Sequence, residues 1–483
     1  MKSQLTSTQT LRAVVALAAL ALAGACAGPA SAAPAWQKST LSISTPAARS
    51  GEVAVAIDDV GGAVAVWAVD LPDGEAIQSA SREPEGVWSA PVELTLVSGT
   101  SSFSSSRPKV AITAAGEAVA VWVAGDSNHG VVESASRPRG GVWSTPVTLS
   151  GGSALSNHPE IAINDSGEAV VVWHAEQVHG RGYVGRGFVA SASRSSSGAW
   201  SAPEAIDMER AFTAPRPMVS INSAGEAVAV WERESRSGAA TALRSAARPP
   251  DGVWSAPVTL SRRRGDHVSR SPEIAIDDAG EAVAVWEGCT DVRLGFVPDS
   301  NFVRSASRSP DGRWSPPRRV SASPDGNLQG RPFPHLAVNA TGDAVVVWQD
   351  FGDHGPTIMG ASRLAQRDWA RPKRISRRSW GVVMGPDVGI DAAGEARVVW
   401  GREKGRNGGF ADGLVGASSP LGGGWSATTG IADIPGGERG LLEAYGPHGF
   451  PEVAVNSSGE AVAVWERQVP GTSLVVIDAA VLS

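Results

Sequence analysis

Ionisable side chains recur at one position of the sequence, directly after a proline. The set consists of Glu160, Glu273, His335, Asp387 and Glu452. Glu52, which follows Gly51, belongs to the same series in our alignment of the repeats. If the fold brings these groups together, several carboxylate oxygens could ligate a hard cation such as Ca²⁺, the one cofactor that the sequence suggests. Lys109 and Met218 interrupt the series, and separately solvated carboxylates are the simpler alternative.

Basic residues form a second candidate site. Arginine and lysine crowd three consecutive connections between predicted strands, at residues 262–264, 318–319 and 371–378. Guanidinium groups bind carboxylate and sulfate through charge-assisted hydrogen bonds, so Arg374 and Arg377 are candidates for binding an anionic polysaccharide. Trp380 would add a flat stacking surface for a sugar. A plain solvated surface would have the same composition.

The densest polar cluster follows Trp173. It contains His174, Glu176 and His179, and Tyr183 lies just beyond it. We expect a loop here, in which two histidines five residues apart are weak candidates for metal ligands. The sequence has no phosphate-binding glycine loop, paired-histidine metal motif or nucleophile elbow. We therefore assign no catalytic residue, although acids on different loops could approach each other as they do in glycoside hydrolases.

An internal repeat must position all of these side chains. The heptapeptide GEAVAVW at residues 116–122 recurs at 225–231, 280–286 and 459–465, and looser copies end at four further tryptophans. A second motif, W-S-x-P, alternates with the first, as at residues 254–257. Alternating Ala and Val without a polar face indicates a strand that is buried on both sides, and no helical period appears.

Each repeat contains four predicted strands. In the third copy the first three are residues 159–164, 168–173 and 189–194, and the fourth begins at Trp200. A glycine in the first tight turn can adopt a positive φ. Eight such units predict an all-β fold, namely an eight-bladed β-propeller with four antiparallel strands per blade.

The two ends of the chain predict how the ring closes. The eighth unit stops after its third strand, residues 474–480, and residues 36–42 match a fourth strand. The N- and C-terminal strands should therefore pair in one blade, which removes exposed strand edges.

The strand order sorts the connections onto two faces. We call "top" the face with the connections from strand two to three and from strand four to the next blade, and "bottom" the other. Bottom turns are nearly uniform, whereas top connections vary and hold or adjoin all eight histidines and both tyrosines. Variable loops on a rigid scaffold usually carry binding, so we expect the functional site on the top face.

Six arginines recur at the ends of the third strands: Arg82, Arg137, Arg194, Arg248, Arg308 and Arg363. Antiparallel register should place each arginine beside the acid that begins the second strand of its own blade, for example Arg194 beside Glu168. We expect structural cross-strand pairs here rather than a ligand site.

The N-terminal segment and the composition indicate where the protein is located and limit its possible partners. Residues 1–33 combine a basic start, an apolar run and the A-x-A tripeptide 30–32, which is typical of a secretory signal peptide and leaves residues 34–483 as one propeller domain. Lipoprotein anchoring through Cys26 is the alternative. Only Cys289 remains after cleavage, so no intrachain disulfide can form. The net charge of −7 does not indicate a nucleic-acid partner, and no later segment is apolar enough to span a membrane.

The turn between strands three and four resembles a known element. Residues 309–314, SPDGRW, look like a shortened Asp-box, the hairpin of bacterial sialidases and other BNR-repeat propellers. The whole chain also resembles secreted bacterial tryptophan-repeat propellers. The sialidase resemblance implies a propeller fold but no activity, because those enzymes need three arginines and a Tyr–Glu pair that we cannot match here.

These features favour an extracellular recognition protein whose top face binds a glycan or a cell-envelope component. The expected partners are an extracellular glycan or protein, and we expect a monomer. A carbohydrate-active hydrolase or lyase on the same face is one alternative, and an architectural surface protein without a small ligand is another. The residues do not decide whether the chain is an enzyme, and we favour binding without catalysis.

Overall fold

The computed structural model describes residues 41–47, 50–71, 74–98, 107–125, 130–151, 154–179, 183–211, 216–234, 241–261, 268–289, 301–321, 332–352, 355–376, 383–402, 413–433, 451–469, 472 and 474–482. Within these ranges every regular element is a β-strand. Trp36–Ser483 forms one compact unit that contains eight four-stranded antiparallel sheets. The prediction of an all-β, eight-bladed propeller is confirmed.

Blades are numbered by the chain order of their first strands. In each blade the strands are given from the first to the fourth. Blade 1 consists of Ser50–Ile57, Ala63–Leu71, Gly74–Arg82 and Val92–Ser98, and blade 2 of Lys109–Ile112, Ala118–Ala124, Val131–Arg137 and Val147–Thr148. Blade 3 consists of Ala154–Ile163, Ala169–His179, Tyr183–Arg194 and Glu204–Ala211, and blade 4 of Met218–Ile221, Ala227–Glu234, Thr241–Arg248 and Val258–Thr259. Blade 5 consists of Val268–Ile276, Ala282–Cys289, Asn301–Arg308 and Arg318–Arg319, and blade 6 of His335–Val338, Ala344–Gly352, Gly355–Arg363 and Lys373–Arg374. Blade 7 consists of Val383–Ile390, Glu395–Arg402, Gly413–Pro420 and Thr429–Asp433, and blade 8 of Glu452–Val455, Ala461–Gln468, Val475–Leu482 and Leu41–Ser42.

The second strands form the packed centre of each blade. Their Ala and Val side chains face the two neighbouring blades, and each strand carries one almost completely buried tryptophan: Trp67, Trp122, Trp173, Trp231, Trp286, Trp348, Trp400 and Trp465. In one such contact, Trp122 of blade 2 packs against Val64 and Val66 of blade 1. Because apolar burial stabilises by about 25 cal/mol per Å², this repeated packing holds the blades together.

The two ends of the chain share blade 8. Ser42 pairs with Asp478, so the N-terminal strand supplies the outermost strand of the last sheet. The Ser42 hydroxyl donates to the Asp478 carboxylate at 2.7 Å, and the Arg467 guanidinium donates to the same carboxylate at 2.5 Å. Each first strand also contacts the first strands of both neighbouring blades, which closes an inner ring. The predicted closure is confirmed.

The eight turns between first and second strands are nearly identical. Each contains a glycine whose φ lies between +82° and +89°, a conformation that favours glycine: Gly61, Gly116, Gly167, Gly225, Gly280, Gly342, Gly394 and Gly459. The residue that begins the turn is buried, and we call these eight residues the inner bottom ring: Asp58, Thr113, Asn164, Asn222, Asp277, Asn339, Asp391 and Asn456.

Asparagines of the inner bottom ring link adjacent blades. Asn164 Oδ1 accepts the backbone N–H of Glu168 in its own turn at 3.0 Å. Asn164 Nδ2 donates to the carbonyl of Asn222 in the next blade at 3.3 Å. The other three asparagines of the ring also donate to the next blade. Each such side chain therefore satisfies one turn and fastens it to its neighbour.

Four of the six arginines at the ends of the third strands pair with an acid of the preceding blade, namely Arg137, Arg194, Arg308 and Arg363. Arg308 Nη1 lies 2.8 Å from Glu226 Oε1, and Arg363 contacts Glu281. Arg194 contacts Glu117 of blade 2 and also donates to the Gly167 carbonyl of its own turn. For these four arginines the expected partner within the same blade is wrong, because the guanidinium reaches across the interface and makes each pair a contact between blades.

No helix among the described residues is long and apolar enough to cross a membrane. The predicted signal peptide, residues 1–33, and Cys26 within it lie outside the described residues.

Candidate functional site

One position of the first strands supplies six side chains to the mouth of the central channel on the top face. It is the residue that pairs with the neighbour of the buried tryptophan, as Glu160 pairs with Val172. We call the eight residues at this position the inner top ring: Ala54, Lys109, Glu160, Met218, Glu273, His335, Asp387 and Glu452. All five ionisable candidates that follow a proline lie in this ring. The expectation for Glu52 is wrong, because Ala54 occupies the position in blade 1.

The residues just before the prolines have an unusual backbone. Left-handed φ values occur at Arg107 (37°), His158 (52°), Ser271 (47°), Phe333 (41°) and Gly385 (40°). A residue before proline is normally extended, and a left-handed side-chain-bearing residue is strained. In three of the blades the register also shifts here, as in a β-bulge, a feature that re-aims side chains next to functional sites.

A cavity of about 210 Å³ opens at this mouth. Six members of the inner top ring line it, and so do Arg107, His158, Arg216, Ser271 and Phe333. Of these, Arg107, Arg216, Ser271 and Phe333 were not predicted from the sequence as site residues. The available signal was the repeated proline, since each of these residues stands directly before it.

Lys109 bridges two acids of the ring. Its ammonium lies 4.0 Å from Glu160 Oε2 and 3.6 Å from Glu452 Oε1. The two carboxylates are therefore less than about 8 Å apart, within the separation of about 5 to 10 Å found for paired acids of glycoside hydrolases. All three side chains are partly exposed toward the mouth.

His335 and Asp387 form the second pair of the ring. His335 Nδ1 lies 3.3 Å from Asp387 Oδ1. The Asp387 carboxylate also accepts the backbone N–H of Val388 at 2.9 Å and that of Val453, in blade 8, at 2.7 Å. Asp387 thus fixes the histidine and links blades 6, 7 and 8 at the mouth.

Burial and mutual proximity shift the protonation of the ring. Burial raises the pKa of Glu273 and of Glu452 to about 7, and it also raises the pKa of Glu160. Burial alone would lower the pKa of His335, but the hydrogen bond and charge of Asp387, with the charges of Glu273 and Glu452, raise it to about 9. At neutral pH the ring therefore holds a charged histidine beside carboxyls that titrate near neutrality, the state expected of groups poised for proton exchange.

The geometry does not favour Ca²⁺ at the mouth. Among the described residues, no three His, Cys, Asp or Glu side chains are arranged to hold a metal ion. The Lys109 ammonium lies beside Glu160 and Glu452, and His335 lies beside Asp387. Two of the protein's own cations therefore lie beside three of the four acids that were expected to ligate the metal.

His174 is not part of a top loop, contrary to expectation. It lies in the strand Ala169–His179, is 1 % exposed, and packs against Gly187, where a Cβ would come within 2.5 Å of the imidazole. Burial lowers its pKa to about 4, and its Nε2 lies 3.5 Å from Glu176. Tyr183 begins the following strand and pairs with His179. The predicted loop is a hairpin extension, and His174 is a buried neutral side chain.

The arginine-rich segments lie only partly within the described residues. Arg374 lies exposed on the outermost strand of blade 6, Lys373–Arg374, so its expected position in a connection between blades is wrong. Arg318 and Arg319 form the corresponding strand of blade 5. Arg377, Trp380 and residues 262–264 lie outside the described residues. The structure does not bring Arg374 to the channel mouth.

No protein-family model and no curated protein sequence matches the chain. Solved structures are similar in fold. An ulvan lyase of a new polysaccharide lyase family aligns with a TM-score of 0.52 and 10% identity, covering 82% of this chain and 97% of the lyase. The polysaccharide lyase Uly1 aligns at 0.45 and 9%, covering 89% of each chain. An α-L-arabinanase of Penicillium chrysogenum aligns at 0.38 and 12%, covering 68% of this chain and 99% of its own. The first of these likenesses supports a shared propeller fold.

Proposed function

We propose that this protein is an extracellular glycan-binding propeller and that its site is the mouth of the central channel. The observation that carries the proposal is the inner top ring. It places four carboxyls, a lysine and a histidine at one opening, six of its eight residues line a cavity, and Phe333 supplies an aromatic side chain there. Saccharides are bound by such convergent polar groups with an aromatic or apolar surface beside them.

The structural comparisons are consistent with this proposal. The ulvan lyase, which has the same type of fold, is a polysaccharide lyase. A shared fold alone does not imply a shared function, so the proposal depends on the mouth itself.

Binding is tested on a glycan array probed with the purified protein in the presence and absence of EDTA, followed by calorimetry with each hit. We expect selective hits that are insensitive to EDTA, because Lys109 and His335 already lie beside three of the four acids of the ring. A blank array together with no heat at millimolar saccharide would refute the proposal. Hits that disappear with EDTA would instead restore a metal ion to the site.

A carbohydrate-active hydrolase or lyase at the same mouth is a second candidate. The specific observation is the spacing of Glu160 and Glu452 across Lys109, together with a pKa of about 7 for Glu452. A carboxyl that is protonated near neutral pH can act as a general acid while a second one remains ionised. Incubating array hits with the protein and following new reducing ends and unsaturated products by mass spectrometry separates catalysis from binding.

The extracellular location is part of the proposal. It depends on the signal peptide predicted for residues 1–33, with anchoring through Cys26 as the alternative. Mass spectrometry of the protein exported by its native cell distinguishes the two. A free N-terminus near residue 34 indicates secretion, and a lipid-modified cysteine at the N-terminus indicates anchoring. Sedimentation of the same sample tests the expected monomer.

A further inference from the structure

Charge is distributed unevenly around the channel mouth. Arg107, His158 and Arg216 precede the prolines of blades 2, 3 and 4, whose first strands are consecutive in the inner ring. All three line the cavity. Lys109 of blade 2 lines it two residues further along the strand. We call Arg107, Lys109, His158 and Arg216 the basic arc.

Blades 5 to 7 present different chemistry at the same place. The residues before their prolines are Ser271, Phe333 and Gly385, none of which is basic. Glu273 lies next to this part of the mouth, whereas Glu160 lies within the basic arc and contacts Lys109. One side of the opening therefore offers two guanidinium groups, an ammonium and an imidazole, and the other offers a hydroxyl, an aromatic ring, a carboxyl and the cationic His335.

Two members of the basic arc, Arg107 and His158, have an unusual backbone conformation. Their φ values are 37° and 52°, and each residue precedes a buried proline, Pro108 just before the first strand of blade 2 and Pro159 within that of blade 3. Such a conformation is strained and persists where the surrounding structure imposes it, often at ligand sites. Fixing these side chains in advance lowers the entropy that a ligand must overcome.

We propose that the mouth binds a saccharide through a carboxylate or sulfate group held by Arg107 and Arg216, with His158 between them. This inference rests on the proposed function and specifies the class of glycan. Guanidinium groups bind both anions through paired charge-assisted hydrogen bonds. Phe333 would face the apolar side of the sugar ring, and Glu273 would accept hydrogen bonds from its hydroxyl groups.

Matched ligand pairs test the proposal by calorimetry. Oligogalacturonate is compared with its methyl ester, and a sulfated galactan oligosaccharide with its desulfated form, which separates the two sources of the anion. We expect the charged member of at least one pair to bind at least about tenfold more tightly. We expect Arg107→Gln and Arg216→Gln each to weaken that binding about tenfold, because each removes a charged donor. Arg313→Gln, on the bottom face and 86 % exposed, is the control and should bind as the wild type does.

The outcomes separate this inference from the proposed function. Equal binding of charged and neutral members, unaffected by Arg107→Gln and Arg216→Gln, overturns the inference and leaves glycan binding intact. Binding of no saccharide at all overturns both. If a variant does not fold, the salt dependence of wild-type binding replaces it. An anion held by this arc must bind more weakly as salt rises from low to high concentration, and salt-independent binding contradicts the inference.

Discussion

The two ends of the same eight first strands differ sharply in chemistry. At the bottom end, the inner bottom ring repeats Asn or Asp in seven blades, and four asparagines tie their own turn to the next blade. At the top end, the inner top ring holds an alanine, a lysine, a methionine, a histidine and four acids. The scaffold is the same at both ends, so the fold does not require this variety at the top.

The difference separates stabilising from functional polar groups. At the bottom, buried polar atoms are satisfied by neighbouring turns in a pattern that repeats from blade to blade, which supports the ring. At the top, burial raises the pKa of three carboxyls, and the preceding residues have strained backbone. Groups held in a costly state by the fold are the ones expected at a ligand site.

Breaking a bottom contact between blades should have the largest effect on stability. Arg363 and Glu281 are 4 % and 8 % exposed and join blades 5 and 6. We expect Arg363→Ala to destabilise the protein by about 3 kcal/mol or more, because it leaves a buried carboxylate without its partner. Thermal and urea unfolding measure this. Arg313→Ala, exposed near the same turn, should change stability by less than about 0.5 kcal/mol, and equal effects of the two variants would contradict the contact's role.

We expect the inner top ring to make the free energy of unfolding depend on pH. Burial raises the pKa of Glu273 from 4.5 to about 7, so between these values the folded chain holds a proton that the unfolded chain releases. Stability must therefore fall as pH rises through this window, by the linkage of proton binding to folding. We expect Glu273→Gln to flatten that fall by up to one proton per molecule. The measurement is the unfolding free energy from pH 4 to 8, and an unchanged slope would contradict the assignment.

Relieving strain at the mouth should increase stability and weaken function. Ser271 has a φ of 47° before Pro272, a conformation that Gly385 adopts in blade 7. We expect Ser271→Gly to stabilise the fold by about 1 kcal/mol, whereas Ser271→Ala, which cannot relieve the strain, should not. Differential scanning calorimetry compares the two. A mouth preorganised for binding should also lose affinity in the glycine variant, and unchanged affinity would argue against preorganisation.

The smallest effect is expected on the outer strands. Arg374 is exposed on the short outermost strand of blade 6, far along the sheet from its first strand. Reversing its charge by Arg374→Glu should change stability by less than about 0.5 kcal/mol and leave glycan affinity unchanged. Loss of affinity in this variant would move the site from the mouth to the rim and restore the arginine-rich segment as a binding surface.

The architecture could be predicted from the sequence because it repeats. Eight copies of the second-strand motif, each with a tryptophan, indicate the number of blades, and residues 36–42 match in sequence the fourth strand that the last repeat lacks. The same repetition led to a wrong predicted partner for Arg194, which contacts Glu117 and not Glu168. Every blade offers an equivalent acid, so sequence register alone cannot tell a partner in the same blade from one in the next.

The candidate site could be predicted only in part. The proline-linked acids marked the ring, but the left-handed turn that brings Arg107 and His158 into the mouth contradicts the extended backbone normally found before proline. His174 was misplaced because the strands of blade 3 extend beyond the repeat, which places it within a strand instead of a loop. Both errors arise where tertiary structure overrides local preference.

The central claim is that ligands bind at the top mouth and not at the bottom, and blocking each end tests it most directly. One cysteine is introduced, either by Ser271→Cys in the mouth or by Arg313→Cys on the bottom face, and it is labelled with a bulky maleimide. Labelled wild type, in which Cys289 is 2 % exposed, controls for the protein's own thiols. Calorimetry with an array hit should show binding abolished by the label in the mouth and retained with the label at the bottom. Retained binding with the mouth blocked would contradict the account.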